Sequence, residues 1–243
     1  MDAENRRVWK AVPLGLCLLL VWAAGCSRSG GETTDAQLVA RAEPGAERSA
    51  GAPSVDQRPK VVVLGDSLTA GLGLSESDSF PAILQRRIDA AGLRFQVVNA
   101  GVSGDTSAGG LRRLEWSLQN GGQVLVVALG ANDGLRGLPV PEMKQNLARI
   151  IEAAQAKRLV VILAGMEAPP NYGAEYAAAF RQAYRELAAQ YNVRFVPFLL
   201  DKVAGEAALN QADGIHPNAR GAGLVADTIW VALAPELARL ADS

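Results

Sequence analysis

Apolar residues cluster in five strand-like stretches, at 60–64, 95–99, 124–129, 159–163 and 194–198. Three of them carry VVVL, VLVVAL and LVVIL, runs without polar alternation, which marks strands covered on both faces, as in a parallel sheet. Between them the period changes to that of a helix. Phe80, Ile83, Leu84, Ile88 and Ala91 share one face, with Gly92 as a stop. Tyr176, Phe180, Ala183, Tyr184, Leu187 and Tyr191 form a second such face, an aromatic row that reads as core packing. A last helix is predicted over 219–240, with Pro235 as a candidate break. Alternating strands and helices without an internal repeat predict a doubly wound α/β domain around five parallel strands.

Ligands of such sheets bind beyond the carboxyl ends of the strands, and here those ends are rich in small and polar residues. Gly65-Asp66-Ser67-Leu68 follows the first strand, and Asn99-Ala100-Gly101-Val102-Ser103-Gly104-Asp105-Thr106 the second. Gly130-Ala131-Asn132-Asp133-Gly134 follows the third, and Asp213-Gly214-Ile215-His216-Pro217 precedes the last helix. Taken singly these residues are ordinary. Ser67 reads as a helix cap, Gly104 as a turn glycine, and Asp66, Asp105 and Asp133 as turn and capping carboxylates.

Together they complete a mechanism. A serine that attacks a carbonyl needs a base titrating near the working pH, and His216 is the only histidine in the chain. Asp213, three residues earlier, can accept from the imidazole Nδ1–H and fix its tautomer. The oxyanion of a tetrahedral intermediate would find donors in the Ser67 N–H, the Gly104 N–H and the Asn132 side-chain amide. Leu72, Leu74, Leu135, Leu138 and Met166, near the same strand ends, are candidates to line an acyl groove.

The chain of 243 residues is 49% hydrophobic and 20% charged, with a formal net charge of −1. The folded part has no basic block, so nothing points to nucleic acid. The N-terminus differs in kind. Arg6, Arg7 and Lys10 precede an apolar run over 11–24, short of the ~20 residues a spanning helix needs but suited to a signal peptide. That run ends Ala23-Ala24-Gly25-Cys26. Small residues before a cysteine resemble a bacterial lipobox, with Ala23 where leucine is usual; an ordinary secretory signal is the alternative. Cys17 and Cys26 are the only cysteines, so a chain starting at Cys26 has no partner for a disulfide, and its thiol is free for acylation.

Residues 26–58 are rich in Gly, Ser, Ala, Glu, Arg and Pro, the composition of a flexible tether, and folding is expected from residue 59. These features predict an exported, periplasmic protein anchored to a membrane through lipid on Cys26. Ser27 after that cysteine favours the outer membrane in a Gram-negative host.

The four segments resemble the conserved blocks of the GDSL, or SGNH, hydrolases. GDSL stands at Gly65–Leu68, the second-block glycine at Gly104, the third-block asparagine at Asn132, and Asp-x-x-His at Asp213 and His216. The spans NAGVSGDTSAGGLRRL, LGANDGLRG, PPNYG and DGIHPN resemble the branch of bacterial thioesterase I, arylesterase and lysophospholipase. The resemblance implies a flavodoxin-like three-layer α/β/α domain with strand order 2-1-3-4-5, and a serine hydrolase that needs no metal or cofactor. It implies Ser67, Asp213 and His216 as the catalytic set, Ser67, Gly104 and Asn132 as the oxyanion hole, and acyl thioesters, aryl esters and lysophospholipids as substrates. Deacetylation of envelope polysaccharide or peptidoglycan is the alternative within the same fold, and a non-catalytic binding lipoprotein the alternative outside it. Thr69, two residues after Ser67, breaks the G-x-S-x-G elbow of α/β-hydrolases. No G-x-G-x-x-G follows the first strand, which argues against a dinucleotide site.

Overall fold

The three continuously apolar runs become the three interior strands of a single parallel sheet. The computed structural model describes residues 57–242. Its strands are β1 (Lys60–Gly65), β2 (Gln96–Gly101), β3 (Val124–Ala128), β4 (Val160–Ala164) and β5 (Arg194–Val196). They are ordered β2-β1-β3-β4-β5, and every pair is parallel. Strands β1, β3 and β4 have neighbours on both sides and are buried almost throughout, whereas β2, at an edge, is mostly half-buried. Continuous hydrophobicity therefore tracks position in the sheet. Strand β2 runs two residues beyond its apolar stretch because it stays paired to β1 up to Gly101 opposite Gly65. Strand β5 stops at Val196, since Pro197 has no N–H for the ladder.

Among the described residues, eight α-helices surround the sheet: α1 (Ser67–Ala70), α2 (Phe80–Ala90), α3 (Ser107–Arg112), α4 (Leu114–Ser117), α5 (Ala131–Leu135), α6 (Val140–Ala156), α7 (Ala174–Tyr191) and α8 (Ala219–Ala241). With right-handed crossovers, the reversal of strand order after β2 puts α2 and α8 together on one face and α3, α6 and α7 on the other. This is the three-layer flavodoxin-like arrangement. Helix α8 continues through Pro235 without a break. Pro235 and Val231, whose carbonyl the proline cannot serve, both lie exposed, so water can take the missing bond.

The aromatic row on α7 is core, with neighbouring rings of Tyr176, Phe180 and Tyr184 at 6.0 and 5.6 Å between centroids. It also does something the spacing alone did not indicate. Tyr184 Oη donates to the Leu129 carbonyl at 2.9 Å, and Tyr176 Oη to that of Leu138 at 2.8 Å. Tyr172 Oη, just before α7, donates to the Leu135 carbonyl at 2.9 Å. Three tyrosines thus hold the segment that follows β3.

The expectations for the leader, Cys26 and nearly all of the tether fall outside the described residues. Among the described residues, no helix is long and apolar enough to cross a membrane.

Candidate active site

The carboxyl ends of β1, β2 and β3 are level, with Gly65 opposite both Gly101 and Ala128. Helix α1 starts there and lies so close to the sheet that no side chain fits beneath it. A Cβ on Gly65 would stand 1.9 Å from Thr69 Oγ1, and one on Gly101 2.2 Å from the Ala70 nitrogen. Asp66 caps α1, its Oδ1 accepting from the Leu68 N–H at 3.0 Å. Leu68 is buried and anchors the turn. The motif therefore divides its work: glycine for clearance, aspartate for the cap, leucine for the core, and Ser67 left half-exposed at the rim.

Ser67 Oγ lies 2.9 Å from His216 Nε2, across 149 residues of sequence. His216 Nδ1 lies 2.7 Å from Asp213 Oδ2, while Asp213 Oδ1 accepts from the N–H groups of Ile215 and His216 at 2.9 and 3.0 Å. These contacts hold the Asp213 carboxyl down at about 2: the His216 N–H contributes most, then the imidazole, then the Ile215 N–H. An ionised acceptor on Nδ1 leaves Nε2 free to take a proton from Ser67. The segment carrying the pair is bonded largely to itself, through Gln211 N–H to the His216 carbonyl at 2.7 Å and Asn218 N–H to the Leu209 carbonyl at 2.9 Å. Gln211 Nε2 ties it to the Leu72 carbonyl at 2.7 Å.

Gly104 and Asn132 face the same cavity, of about 310 Å³, together with Ser67 and His216. Gly104 has φ +84°, a conformation that suits glycine, in a half-turn closed by the Asp105 N–H to the Val102 carbonyl at 3.1 Å. Asn132 Nδ2 donates one N–H to Asp66 Oδ2 at 3.3 Å, which leaves its second for the cavity. Asp66 is fully buried, and its carboxyl is raised to about 6. Burial is the main cause, opposed by the bonds from Leu68 and Asn132 and by His216.

Of the five groove candidates, Leu72, Leu135 and Met166 line this cavity, with Pro169, Leu200 and Ile215. Leu74 lines a much smaller neighbouring cavity, beside Ser67, Phe80 and Val225. Leu138 lines neither. The chain turns at Gly137, with φ +61°, and the Leu138 carbonyl is drawn to Tyr176 instead.

Two of the three aspartates read as capping groups have other partners. Asp133, buried, accepts from the Ser107 N–H at 2.8 Å and Ser107 Oγ at 2.6 Å, joining the segments after β2 and β3. Asp105 pairs with Arg113 Nε at 2.5 Å. Nothing in the sequence alone marks Arg113. Its guanidinium donates to the Gly65 carbonyl at 2.7 Å and the Ala100 carbonyl at 2.6 Å, clamping the ends of β1 and β2. Arg112, beside it, is exposed, and nothing in the residue pair GGLRRL distinguishes the two.

A serine in reach of a carboxylate-oriented imidazole, with convergent N–H donors beside an apolar cavity, is a constellation for acyl transfer. Known proteins agree. The chain is 44% identical over 178 residues to Esterase TesA of Pseudomonas aeruginosa, covering 73% of this chain and 89% of that protein. It is 38% identical over 173 residues to Thioesterase 1/protease 1/lysophospholipase L1 of Escherichia coli K12, covering 71% and 81%. Among solved structures, the psychrotrophic esterase EstA of Pseudoalteromonas, inhibited by monoethylphosphonate, superposes with a TM-score of 0.70 at 33% identity, covering 74% of this chain and 98% of EstA. The model of the GDSL-like Lipase/Acylhydrolase family matches residues 63–224, and the chain belongs to that family, as an esterase of the GDSL (SGNH) type.

Proposed function

We propose that the protein is an exported serine hydrolase that cleaves acyl esters and thioesters through an acyl-enzyme. The observation that carries this reading is the Ser67–His216–Asp213 chain of contacts at 2.9 and 2.7 Å. Ser67 Oγ attacks the acyl carbonyl carbon as its proton passes to His216 Nε2. The carbonyl π electrons move onto oxygen, where the N–H groups of Ser67 and Gly104 and the free N–H of Asn132 Nδ2 receive the charge. Collapse breaks the bond to the alkoxide or thiolate, which leaves with the proton held on His216. Water, deprotonated by the same nitrogen, then attacks the acyl carbonyl carbon, and collapse breaks its bond to Ser67 Oγ, which takes the proton back from His216 as the acid leaves. Asp213 holds the imidazole in the tautomer that both halves need.

The apolar walls of Leu72, Leu135, Met166, Leu200 and Ile215 suit the acyl chain of a small-molecule ester or thioester, a lysophospholipid included. The names of the relatives, esterase and thioesterase/lysophospholipase, point the same way. The leader-like run and Cys26 support a periplasmic activity held on a lipid anchor, at the outer membrane of a Gram-negative host.

The test is hydrolysis of p-nitrophenyl and acyl-CoA esters of increasing chain length, beside acetylated sugars. Ser67→Ala should abolish turnover and labelling by a fluorophosphonate while leaving the circular dichroism unchanged. Substantial hydrolysis by that variant overturns the reading, and preference for acetylated sugars moves the substrate to polysaccharide. Incorporation of labelled palmitate that disappears in Cys26→Ala tests the anchor.

A further inference from the structure

One residue touches both segments that present N–H donors to the cavity. The backbone N–H of Arg136 donates to the Asn132 carbonyl at 3.2 Å, closing the short helix α5. Its side chain turns the other way, and Nη2 donates to the Gly104 carbonyl at 2.9 Å, across 32 residues of sequence. Gly104 needs such a partner. It is exposed, it has no side chain to anchor it, and its φ of +84° is one of several conformations open to a glycine. A Cβ built on Gly104 would find a single neighbouring atom within 4 Å, Arg136 Nη2 at 3.8 Å. The guanidinium is thus the group nearest to where a side chain on this residue would stand. Below it the two segments are joined a second time, by Asp133 to Ser107.

We propose that Arg136 is a positioning residue for acyl transfer: by bonding the Gly104 carbonyl while its own N–H holds Asn132, it sets the two oxyanion donors against each other. The proposal rests on the Ser67 reading above. Its chemistry predicts a particular kinetic signature. The donors act on an oxygen that becomes charged only in the transition state, so a misaligned Gly104 lowers kcat and leaves KM alone. The loss should be smaller than the 10²–10³-fold of removing an oxyanion donor outright. Because the side chain makes one bond to Gly104 rather than a bidentate pair, a lysine can partly replace it.

The experiment compares the parent with Arg136→Ala and Arg136→Lys, each checked for an unchanged melting temperature. Substrates are a p-nitrophenyl ester, an acyl-CoA, and the same acyl group on a neutral thiol. Arg136→Ala should lose roughly tenfold in kcat on all three, with KM within twofold. Fluorophosphonate labelling of Ser67, which builds charge on the phosphoryl oxygen at the same donors, should slow by the same factor. Arg136→Lys should recover most of both. Labelling and kcat at the parent rate overturn the proposal. So does a rise in KM confined to acyl-CoA, which would make Arg136 a contact for the substrate's phosphates. A parent that is not labelled at Ser67 removes the catalytic reading itself, and this inference with it; a labelled parent with an equally fast Arg136→Ala removes the inference alone.

Discussion

Asp66 Oδ2 accepts from Asn132 Nδ2 at 3.3 Å, joining two residues 66 apart in sequence within the floor of one site. The bond decides which end of the Asn132 amide faces inward. The carboxylate takes an N–H, so the amide nitrogen is turned to the Ser67 side and its second N–H is available to an oxyanion.

The buried Asp66 carboxyl makes stability depend on pH in a direction opposite to most acids. Burial raises it to about 6, above the 3.8 of an ordinary aspartate. Its contribution is fully present below 3.8 and is lost as pH rises through 6, a change on the order of 3 kcal/mol. Asp66→Asn removes this dependence. Urea unfolding at pH 4 and pH 7 should show the parent falling relative to the variant by about that amount between the two. Parallel behaviour of the two proteins across this range would refute it.

Asn132→Ala should lower kcat by about 10²–10³-fold with little change in KM, since the deleted donor acts on charge that develops only in the transition state. Steady-state kinetics on a soluble p-nitrophenyl ester measures it, and a loss confined to KM would contradict the assigned role.

Asp213 acts on stability in the opposite sense from Asp66. Its carboxyl is held at about 2 by the His216 N–H, the imidazole and the Ile215 N–H. The stabilisation is present above 3.8 and disappears as pH falls through 2, so the melting curves of the parent and Asp213→Asn should converge on acidification. At neutral pH the same variant should lose roughly 10²–10⁴-fold in kcat, because its amide can present an N–H to Nδ1 and favour the wrong tautomer. Near-parent turnover would show that the imidazole is oriented by other means.

Gly101→Ala places a methyl 2.2 Å from the Ala70 nitrogen, in backbone that cannot swing aside. Helix α1 must move, at a cost of about 1–3 kcal/mol, and Ser67 moves with it. Both the melting temperature and the rate of fluorophosphonate labelling should fall; a variant that loses stability but labels at the parent rate would separate the helix from the serine.

Much of this site could be read before any coordinates. The interior strands stood out because burial on both faces leaves no room for polar alternation, and the single histidine left no choice of base. What remained hidden has a common physical origin. Arg113 and Arg112 are chemically the same residue until the fold puts one over the ends of β1 and β2 and the other in water. The hydroxyls of Tyr172, Tyr176 and Tyr184 announce helix packing in their spacing, but their carbonyl partners lie on a distant segment. Closeness to a strand end makes Leu138 a groove candidate, but it lines neither cavity beside Ser67, and its carbonyl is held by Tyr176.

The base and its orienting acid travel on one segment, folded upon itself through Gln211, His216, Asn218 and Leu209. It meets the serine's own segment through two hydrogen bonds, Gln211 to Leu72 and His216 to Ser67. Parting it from the serine's segment breaks these two bonds and leaves the strand pairing untouched, so this local opening is expected to cost less free energy than global unfolding. Catalysis should therefore fail first. In a urea titration, activity is expected to decline at concentrations where far-ultraviolet circular dichroism is still native, and to return at once on dilution without refolding of the sheet.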